Sequence, residues 1–247
     1  MKLNSIVFFV CFLTLFSCKK PEDRNCIKSV GDDTEKVIIP PAFDKILLHE
    51  KLEFVLVQDS VEKIVLKGGK NLLNFVKIEM IDGVLDISNI NKCHFLRTYK
   101  RKILVEIHFI NLSNIHFEGT ETLTNIGLLQ FNWLSFLIRD GAGQVNLNFN
   151  AQSIDATISH GWGDFTFTGT VNQANINVRS NGYCDTYGLQ IIDSLTVISK
   201  TQGSVRVNSN GVKLKAQLEG DGNIYYRGIP SSIQKNKYGN GELIEDN

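Results

Sequence analysis

The sequence contains few residues that interrupt secondary structure or crosslink the chain, and neither sign of charge is in excess. Only 4 prolines and 5 cysteines occur among 247 residues, and helix-period patterning is nearly absent after the N-terminus. Lys and Arg number 26, as do Asp and Glu, so nucleic-acid binding, which depends on concentrated positive charge, is not expected. The cysteines show no Cys-x-x-Cys spacing and the histidines do not cluster, which argues against a zinc site.

The first 17 residues have the pattern of a secretory signal. Lys2 precedes an apolar run over Ile6–Phe16, which is too short to span a membrane as a stable helix. Leu15–Cys18 resembles the bacterial lipobox, in which the cysteine is lipidated and the peptide bond before it is cut. An ordinary signal peptide is the alternative. We expect lipidation at Cys18, and with it a protein anchored by lipid to a membrane of the cell envelope.

Glycines recur at a nearly constant spacing in the C-terminal half. Six tripeptides that begin with glycine and end with an apolar residue follow at steps of 20, 19, 21, 19 and 19 residues. Their glycines are Gly143, Gly163, Gly182, Gly203, Gly222 and Gly241. Alternating apolar and polar residues lie before the first five glycines, and a short strand follows. Each repeat therefore has two strands and one glycine corner.

Repeats of this length predict an all-β fold, a parallel β-solenoid and in particular a right-handed β-helix. One coil cannot bury its apolar side alone, whereas stacked coils form a continuous core. The alignment predicts one interior column, made of Val145, Phe165, Cys184, Val205 and Ile224. Glycine is expected at the corners because it adopts positive φ without steric cost. A β-sandwich is the alternative, although its strands need not repeat in phase.

The N-terminal part is less regular but still rich in strands. Asp82-Gly83 predicts a two-residue hairpin turn, and residues 89–102 form a basic segment that we expect to be a loop. Residues 18–39 are polar and mixed in charge, which predicts a tether. The predicted organisation is a signal peptide over 1–17, a tether over 18–39 and one β-solenoid domain over 40–247.

The alignment also sorts the cysteines. Cys11 leaves with the signal, Cys18 carries lipid and Cys184 falls in the interior column, which leaves Cys26 and Cys93 as the predicted disulfide. An exported protein reaches a compartment that permits such a bond. The bond would fix the tether to the basic loop and cap the N-terminal end of the stack, where strand edges are otherwise exposed.

Several short motifs resemble those of the head GIN domain, a family of exported proteins named for adhesion. They are Phe43 with Ile46, Phe54–Gln58, Gly69–Leu72, Asn91–Cys93, Gly220–Pro230 and Gly239–Gly241. The resemblance covers residues 42–243. It implies an all-β, solenoid-like domain on the cell envelope, and it supplies no catalytic residues.

No set of side chains has the spacing of a catalytic or metal site. The five histidines are scattered, and His108 and His116 alternate with apolar residues, which predicts exposed strand positions. Solenoid enzymes that cut polysaccharides use clustered carboxylates, and no pair stands out here. Gly-Asp turns near Asp164 and Asp221 lack the tandem nonapeptides of calcium solenoids. We therefore expect no enzyme activity, no cofactor and no metal.

Two features are candidates for a ligand surface. Trp162 and Tyr183 fall at outward corner positions of adjacent repeats, which predicts a stacking platform for sugar rings or a partner protein. Arg97, Lys100 and Arg101 lie in the basic loop and are candidates for contact with anionic glycans or lipid headgroups. The favoured function is an envelope-anchored module that binds a glycan or an envelope protein. A structural or assembly lipoprotein and, less favoured, a carbohydrate-active β-helix enzyme are the alternatives.

Overall fold

The structure, a computed structural model, describes residues 29–91 and 102–246. Within these two segments the elements are 19 strands and one four-residue helix. Outside a cap at one end, neighbouring strands are parallel and belong to successive coils of the chain. The predicted parallel β-solenoid is therefore confirmed and the β-sandwich is excluded. The right-handed sense stays a prediction.

Each coil has two faces, which we call face A and face B. Face A contains, in order along the stack, β7 (Leu104–Phe109), β3 (Glu53–Gln58), β9 (Leu123–Ile126), the first parts of β11 (Gln144–Ile158) and β12 (Asp164–Val178), then β13 (Cys184–Thr186), β15 (Val205–Asn208), β17 (Ile224–Arg227) and β19 (Leu243–Glu245). Neighbouring strands of such a face lie about 4.8 Å apart.

Face B carries the strands that precede the glycine corners. It contains β6 (Val84–Asn89), β2 (Lys45–Leu48), β8 (Asn114–Phe117), the ends of β10 (Leu129–Ile138), β11, β12 and β14 (Leu189–Ser199), then β16 (Lys213–Leu218) and β18 (Ser232–Lys237). In β11 the buried positions change from odd to even numbers between Ala151 and Ile154, so the chain bends there from face A to face B.

An antiparallel cap covers the N-terminal end of the stack. It contains β1 (Asp33–Ile38), β4 (Lys63–Gly69), α1 (Lys70–Leu73) and β5 (Val76–Ile81). β4 pairs with β7 and with β1, and β5 pairs with β6 through the predicted turn, where Asp82 and Gly83 have φ values of 50° and 79°. Residues 33–38, assigned from sequence to the tether, are thus a strand of the cap because their backbone groups pair with β4.

The stacking order departs from the chain order near this cap. β2 lies between β6 and β8, and β3 lies between β7 and β9. The chain therefore lays down one coil first, builds the terminal coil and its cap next, and then continues on the opposite side of the first coil. From β8 onward each new coil follows the previous one.

The predicted interior column is confirmed residue by residue. Val145 pairs with Phe165, Phe165 with Cys184, Cys184 with Val205 and Val205 with Ile224. All five side chains are fully buried. Inward aromatic rings add to this core, because Phe149 contacts Phe131 and Phe167 with centroid distances of 5.7 and 5.3 Å. The column continues into the less regular part through Leu123 and Phe54.

The reason given from sequence for the corner glycines is wrong. Gly143, Gly163, Gly182, Gly203, Gly222 and Gly241 are not among the residues with positive φ. Their constraint is space: a Cβ on Gly222 would lie 2.1 Å from the Gly203 oxygen, and one on Gly241 would lie 2.2 Å from the Gly222 oxygen. The glycines recur because each corner packs closely against the coil before it, against backbone at five of the six and against the Ile138 side chain at Gly163.

Candidate ligand-binding surface

The structure separates the two aromatic residues that the sequence placed in one platform. Trp162 lies at a glycine corner and is 68% exposed. Tyr183 lies beside Asp164 in the next coil, and its backbone N–H donates to Asp164 Oδ1 at 2.7 Å. Because Trp162 precedes Asp164 by two residues, the two rings do not occupy one column. No ring contact joins them in the segments that the structure describes.

Tyr183 belongs instead to a polar network on the outer side of face A. Arg206 donates from Nη1 to the Tyr183 hydroxyl oxygen at 2.7 Å, and its guanidinium carbon lies 5.4 Å from the ring centroid. The Tyr183 hydroxyl donates in turn to Asp185 Oδ2 at 3.1 Å. Since Asp185 and Arg206 are register partners on adjacent strands, the sheet itself fixes their separation.

Tyr187 extends the network toward the last coil. Its backbone N–H donates to Asp185 Oδ1 at 3.0 Å, and its hydroxyl donates to Asp246. The Arg227 guanidinium carbon stands 4.1 Å from the Tyr187 ring centroid, and Arg227 Nη2 lies 3.4 Å from Asp246 Oδ2. We call the six residues of this network the Tyr–Arg surface: Tyr183, Asp185, Tyr187, Arg206, Arg227 and Asp246.

Electrostatics hold the Tyr–Arg surface in one protonation state. Burial, followed by the nearby carboxylates, raises the pKa of both Tyr183 and Tyr187. The pKa of Arg206 is raised as well, mainly through its contact with Tyr183. The two hydroxyls therefore remain protonated donors, and the Arg206 guanidinium remains charged. The surface offers planar rings and cations to a partner, and it has no activated nucleophile.

Sequence reasoning missed Tyr187, Arg206, Arg227 and Asp246. The signal was present in the outward positions, because Tyr187, Asn208, Arg227 and Asp246 follow one another in one column at steps of 21, 19 and 19 residues. The glycine alignment emphasised inward residues only. An alignment of the outward residues would have placed four groups in one column: the Tyr187 ring, the Asn208 amide, the Arg227 guanidinium and the Asp246 carboxylate.

The remaining predicted sites are not brought into one place. Cys184 is fully buried, and burial raises the pKa of its thiol. The thiol therefore stays protonated and is a poor nucleophile. The lipidation site Cys18, the predicted disulfide partners Cys26 and Cys93, and the loop residues Arg97, Lys100 and Arg101 all lie outside the described residues.

Histidines and carboxylates meet at one point near the cap. His49 places Nε2 3.1 Å from Asp86 Oδ2 and Nδ1 3.1 Å from Glu118 Oε2. His116 Nε2 is buried 3.3 Å from Glu118 Oε1. Across residues 29–91 and 102–246 no group of three or more His, Cys, Asp or Glu has the arrangement of a metal site. This cluster is therefore a set of contacts between histidines and carboxylates on the outside of face B.

The exposure predicted for two histidines is wrong. The side chain of His108 is 13% exposed and that of His116 is 23% exposed. The Nδ1–H of His108 donates to Asp59 Oδ2 at 3.0 Å, so its ring is held against the neighbouring turn. His116 has Leu47 and Leu137 as register partners, and these side chains shield it.

No helix in the described segments is both long and apolar enough to cross a membrane.

Comparison with known proteins identifies relatives of this fold. The family described as "Putative auto-transporter adhesin, head GIN domain" matches residues 42–230. A "putative adhesin" from Bacteroides fragilis has a TM-score of 0.75 at 18% identity, over 87% of this chain and 97% of its own. A "putative lipid binding protein" from Parabacteroides distasonis has a TM-score of 0.67 at 18% identity, over 88% and 98%.

A third solved structure supports the same fold. It is a "putative adhesin" from Parabacteroides merdae with a TM-score of 0.63 at 18% identity, over 90% of this chain and 99% of its own. Identities this low establish the architecture and leave function to the chemistry of this chain. Among curated proteins none is significantly similar to it.

Proposed function

The chain belongs to the head GIN domain family, and on that premise we propose that it is a lipid-anchored adhesion module that binds its partner without catalysis. The anchor is Cys18, at the end of the signal peptide. Several acyl chains hold a soluble domain stably at a membrane face. The solenoid then presents its sheets to whatever lies beside the envelope.

The observation that carries this proposal is the Tyr–Arg surface. Tyr and Arg are the residue types that most often dominate binding energy at protein interfaces. Here they are partly exposed and are held by hydrogen bonds to a rigid sheet, so little side-chain freedom is lost on binding. A single-sided, preorganised patch of this kind suits an envelope or surface protein as partner.

The absence of catalysis is supported by chemistry rather than by absence of a ligand. The hydroxyls of the Tyr–Arg surface are donors with raised pKa, and its carboxylates are occupied by Tyr or Arg partners. None of these groups is a free general base beside a nucleophile. The family description also names adhesion and no reaction.

Binding of the purified mature domain to envelope fractions of the source bacterium tests the proposal. We expect a double variant, Tyr187→Ala with Arg227→Ala, to be retained at least about tenfold less than the unmodified domain. The matched control is Tyr238→Ala with Lys215→Ala, which removes one ring and one cation from exposed positions elsewhere. Equal loss in both double variants, or no loss in either, contradicts a specific role for this surface.

Anchoring is tested separately in cells with a radiolabelled fatty acid and membrane fractionation. We expect Cys18→Ala to abolish labelling and to release the protein from the membrane fraction. Cys11→Ala lies inside the signal and is the matched control, which we expect to behave as the unmodified protein. Labelling that persists in Cys18→Ala contradicts the anchor. A deletion strain with a damaged envelope but normal attachment favours a structural lipoprotein instead.

A further inference from the structure

A groove runs along the bend between the two faces, in the coils of β10 to β12. It consists of two adjoining cavities of about 340 and 320 Å³, and Gln130 and Phe131 line both. Each volume is in the range of small-molecule sites, and together they make an elongated site. We call this site the bend groove. It shares no lining residue with the Tyr–Arg surface, although its last strand, β12, is next to β13 in the stack.

The groove exists because one coil is incomplete. β10 pairs with β8 only from Ser135 onward, so among the described strands its segment Leu129–Trp133 has a neighbour on one side only, β11. The Gln58 side chain occupies part of the free edge: its Oε1 accepts from the Gln130 N–H at 2.8 Å and its Nε2 donates to the Gln130 oxygen at 3.1 Å. An open edge would invite another strand, and Gln58 blocks that pairing.

An aromatic ring stands at one end of the groove in a fixed orientation. Trp133 is 45% exposed, and its indole N–H donates to Asp155 Oδ2 at 3.1 Å. Asp155 Oδ1 accepts from Asn175 Nδ2 at 2.7 Å, so the carboxylate that orients the indole is itself held by the next coil. A ring fixed in this way offers a flat apolar surface without loss of side-chain freedom on binding.

Besides Trp133, the apolar residues Leu112, Phe131 and Ala151 line the groove, and the remaining lining is polar and, apart from one carboxylate, uncharged. Asn132 and Trp133 share their cavity with Asp44, whose Oδ2 accepts from the Ser113 hydroxyl at 2.7 Å. The adjoining cavity carries amide and hydroxyl groups only along its polar side: Gln130, Asn150, Gln152, Thr170 and Asn172. Gln130, Asn150 and Thr170 are register partners on successive coils about 4.8 Å apart, and Asn172 donates to Gln152 across one coil. These polar side chains form a ladder along the groove, which we call the amide ladder.

We propose that the bend groove binds a neutral oligosaccharide, with one sugar ring stacked on Trp133 and its hydroxyls on the amide ladder and Asp44. Amide side chains both donate and accept, which matches hydroxyl groups that do the same. Among the residues that the structure describes, no Lys or Arg lines either cavity, and Asp44 repels anions, so uncharged sugars are favoured over acidic ones. An extended peptide is disfavoured because Gln58 holds the strand edge that it would need. This inference goes beyond the proposed adhesion surface and does not depend on it.

The two tryptophans of the chain allow a direct test. In Trp162→Phe the remaining indole emission comes from Trp133, and in Trp133→Phe it comes from Trp162. The probes are neutral hexasaccharides of glucose, mannose, xylose and N-acetylglucosamine, each up to roughly 5 mM, which nearly saturates a site of millimolar Kd. We expect at least one probe to change Trp133 emission with saturation, and none to change Trp162 emission.

A second readout does not depend on emission. We expect Trp133→Ala to weaken retention on the immobilised hexasaccharide about tenfold, and Trp162→Ala to leave it unchanged. If Trp133→Ala does not fold, Trp133→Phe takes its place. We expect Asn132→Ala to weaken retention as well, with an unfolding midpoint close to that of the unmodified protein. Since Asn132 is exposed, its loss reports the ligand rather than the core.

Four outcomes overturn the inference. They are no saturable change with any neutral probe, a response at Trp162 alone, tighter binding of a galacturonate hexasaccharide than of every neutral probe, and capture of an extended peptide at Trp133 in place of sugar. If sugar binding fails while Tyr187→Ala with Arg227→Ala still loses attachment, the bend groove is rejected and the adhesion surface survives. The reverse pattern rejects the adhesion surface and leaves the groove.

Discussion

Gly222 packs directly against Gly203 of the preceding coil, so that a Cβ added to Gly222 would lie 2.1 Å from the Gly203 carbonyl oxygen. The conflict is with backbone, which cannot rotate away as a flexible side chain can. We therefore expect Gly222→Ala to lower the free energy of unfolding by about 2–3 kcal/mol. Urea unfolding followed by far-ultraviolet circular dichroism measures this loss.

Gly211 provides the matched control for that substitution. It has a φ of 78° with no atom within 4 Å of an added Cβ, so only its backbone conformation is constrained. We expect Gly211→Ala to cost about 1–2 kcal/mol and Gly211→Asn to cost less, because Asn tolerates this conformation. Asn should give no such relief at Gly222. A smaller loss at Gly222 than at Gly211 is inconsistent with backbone packing at the corners.

The interior column allows a test of what the buried thiol contributes. Cys184 lies between Phe165 and Val205 and is fully buried. We expect Cys184→Ser to lose about 1–3 kcal/mol of unfolding free energy, because the hydroxyl has the size of the thiol but is buried as a polar group. Cys184→Ala should lose about 1 kcal/mol, from the missing sulfur contacts. A serine variant as stable as the unmodified protein refutes the apolar column.

The Tyr187 hydroxyl should contribute to the stability of the last coils. It donates to Asp246, which ties face A of one coil to the chain three coils further on. We expect Tyr187→Phe to lose about 1 kcal/mol, since the ring and its contact with Arg227 remain while the hydrogen bond is removed. Tyr238→Phe is the control at a 73% exposed ring and should change stability by less than about 0.5 kcal/mol.

His116 should make folding stability depend on pH. Burial lowers its pKa below the ordinary 6.5, an effect that Glu118 partly offsets and that Arg139 and His49 reinforce. His116 therefore binds a proton more readily in the unfolded chain than in the folded one. Its contribution to the free energy of unfolding is complete above pH 6.5 and is lost as the pH falls through the lower pKa of the folded state. We expect His116→Leu, which fits between Leu47 and Leu137, to flatten the dependence of unfolding free energy on pH below 6.5.

The control for that experiment is His160→Gln, at an exposed corner position. Its pH dependence should match that of the unmodified protein, whereas the slope for His116→Leu should be clearly smaller. Equal slopes for the two variants contradict a contribution of His116 to the pH dependence.

The interior of this fold was predictable because it obeys a simple period. Alternation places every second side chain inward, and the glycine steps put Val145, Phe165 and Cys184 in phase without knowledge of any contact. The reason for the glycines was not predictable from their spacing alone. Glycine is selected where a corner needs positive φ, and also where a corner packs too closely against its neighbour to hold a Cβ. Only the distance from an added Cβ to the neighbouring carbonyl oxygen distinguishes the two cases.

The outward surfaces were harder to predict, since outward positions share no common chemistry. Tyr183 was a candidate from the sequence. Its partner Arg206 lies on a different strand, as the register partner of Asp185, and no local motif indicates the contact. Trp133 lies next to the inward residue Leu134, and nothing in the surrounding sequence indicates that the preceding coil is incomplete there. That gap depends on where β8 begins to pair, which is a long-range property.

The insertion of β2 and β3 between later strands has a consequence for a chain that is synthesised from its N-terminus. Among the described strands, β2 and β3 pair only with strands of residues 84–126, one on each side. Both edges of these two strands therefore stay bare until residues 84–126 have followed, which is the interval when a chaperone that shields strand edges matters most. The first block is therefore complete only when both sets of strands have paired, after which the remaining coils can be added one at a time, as each arrives.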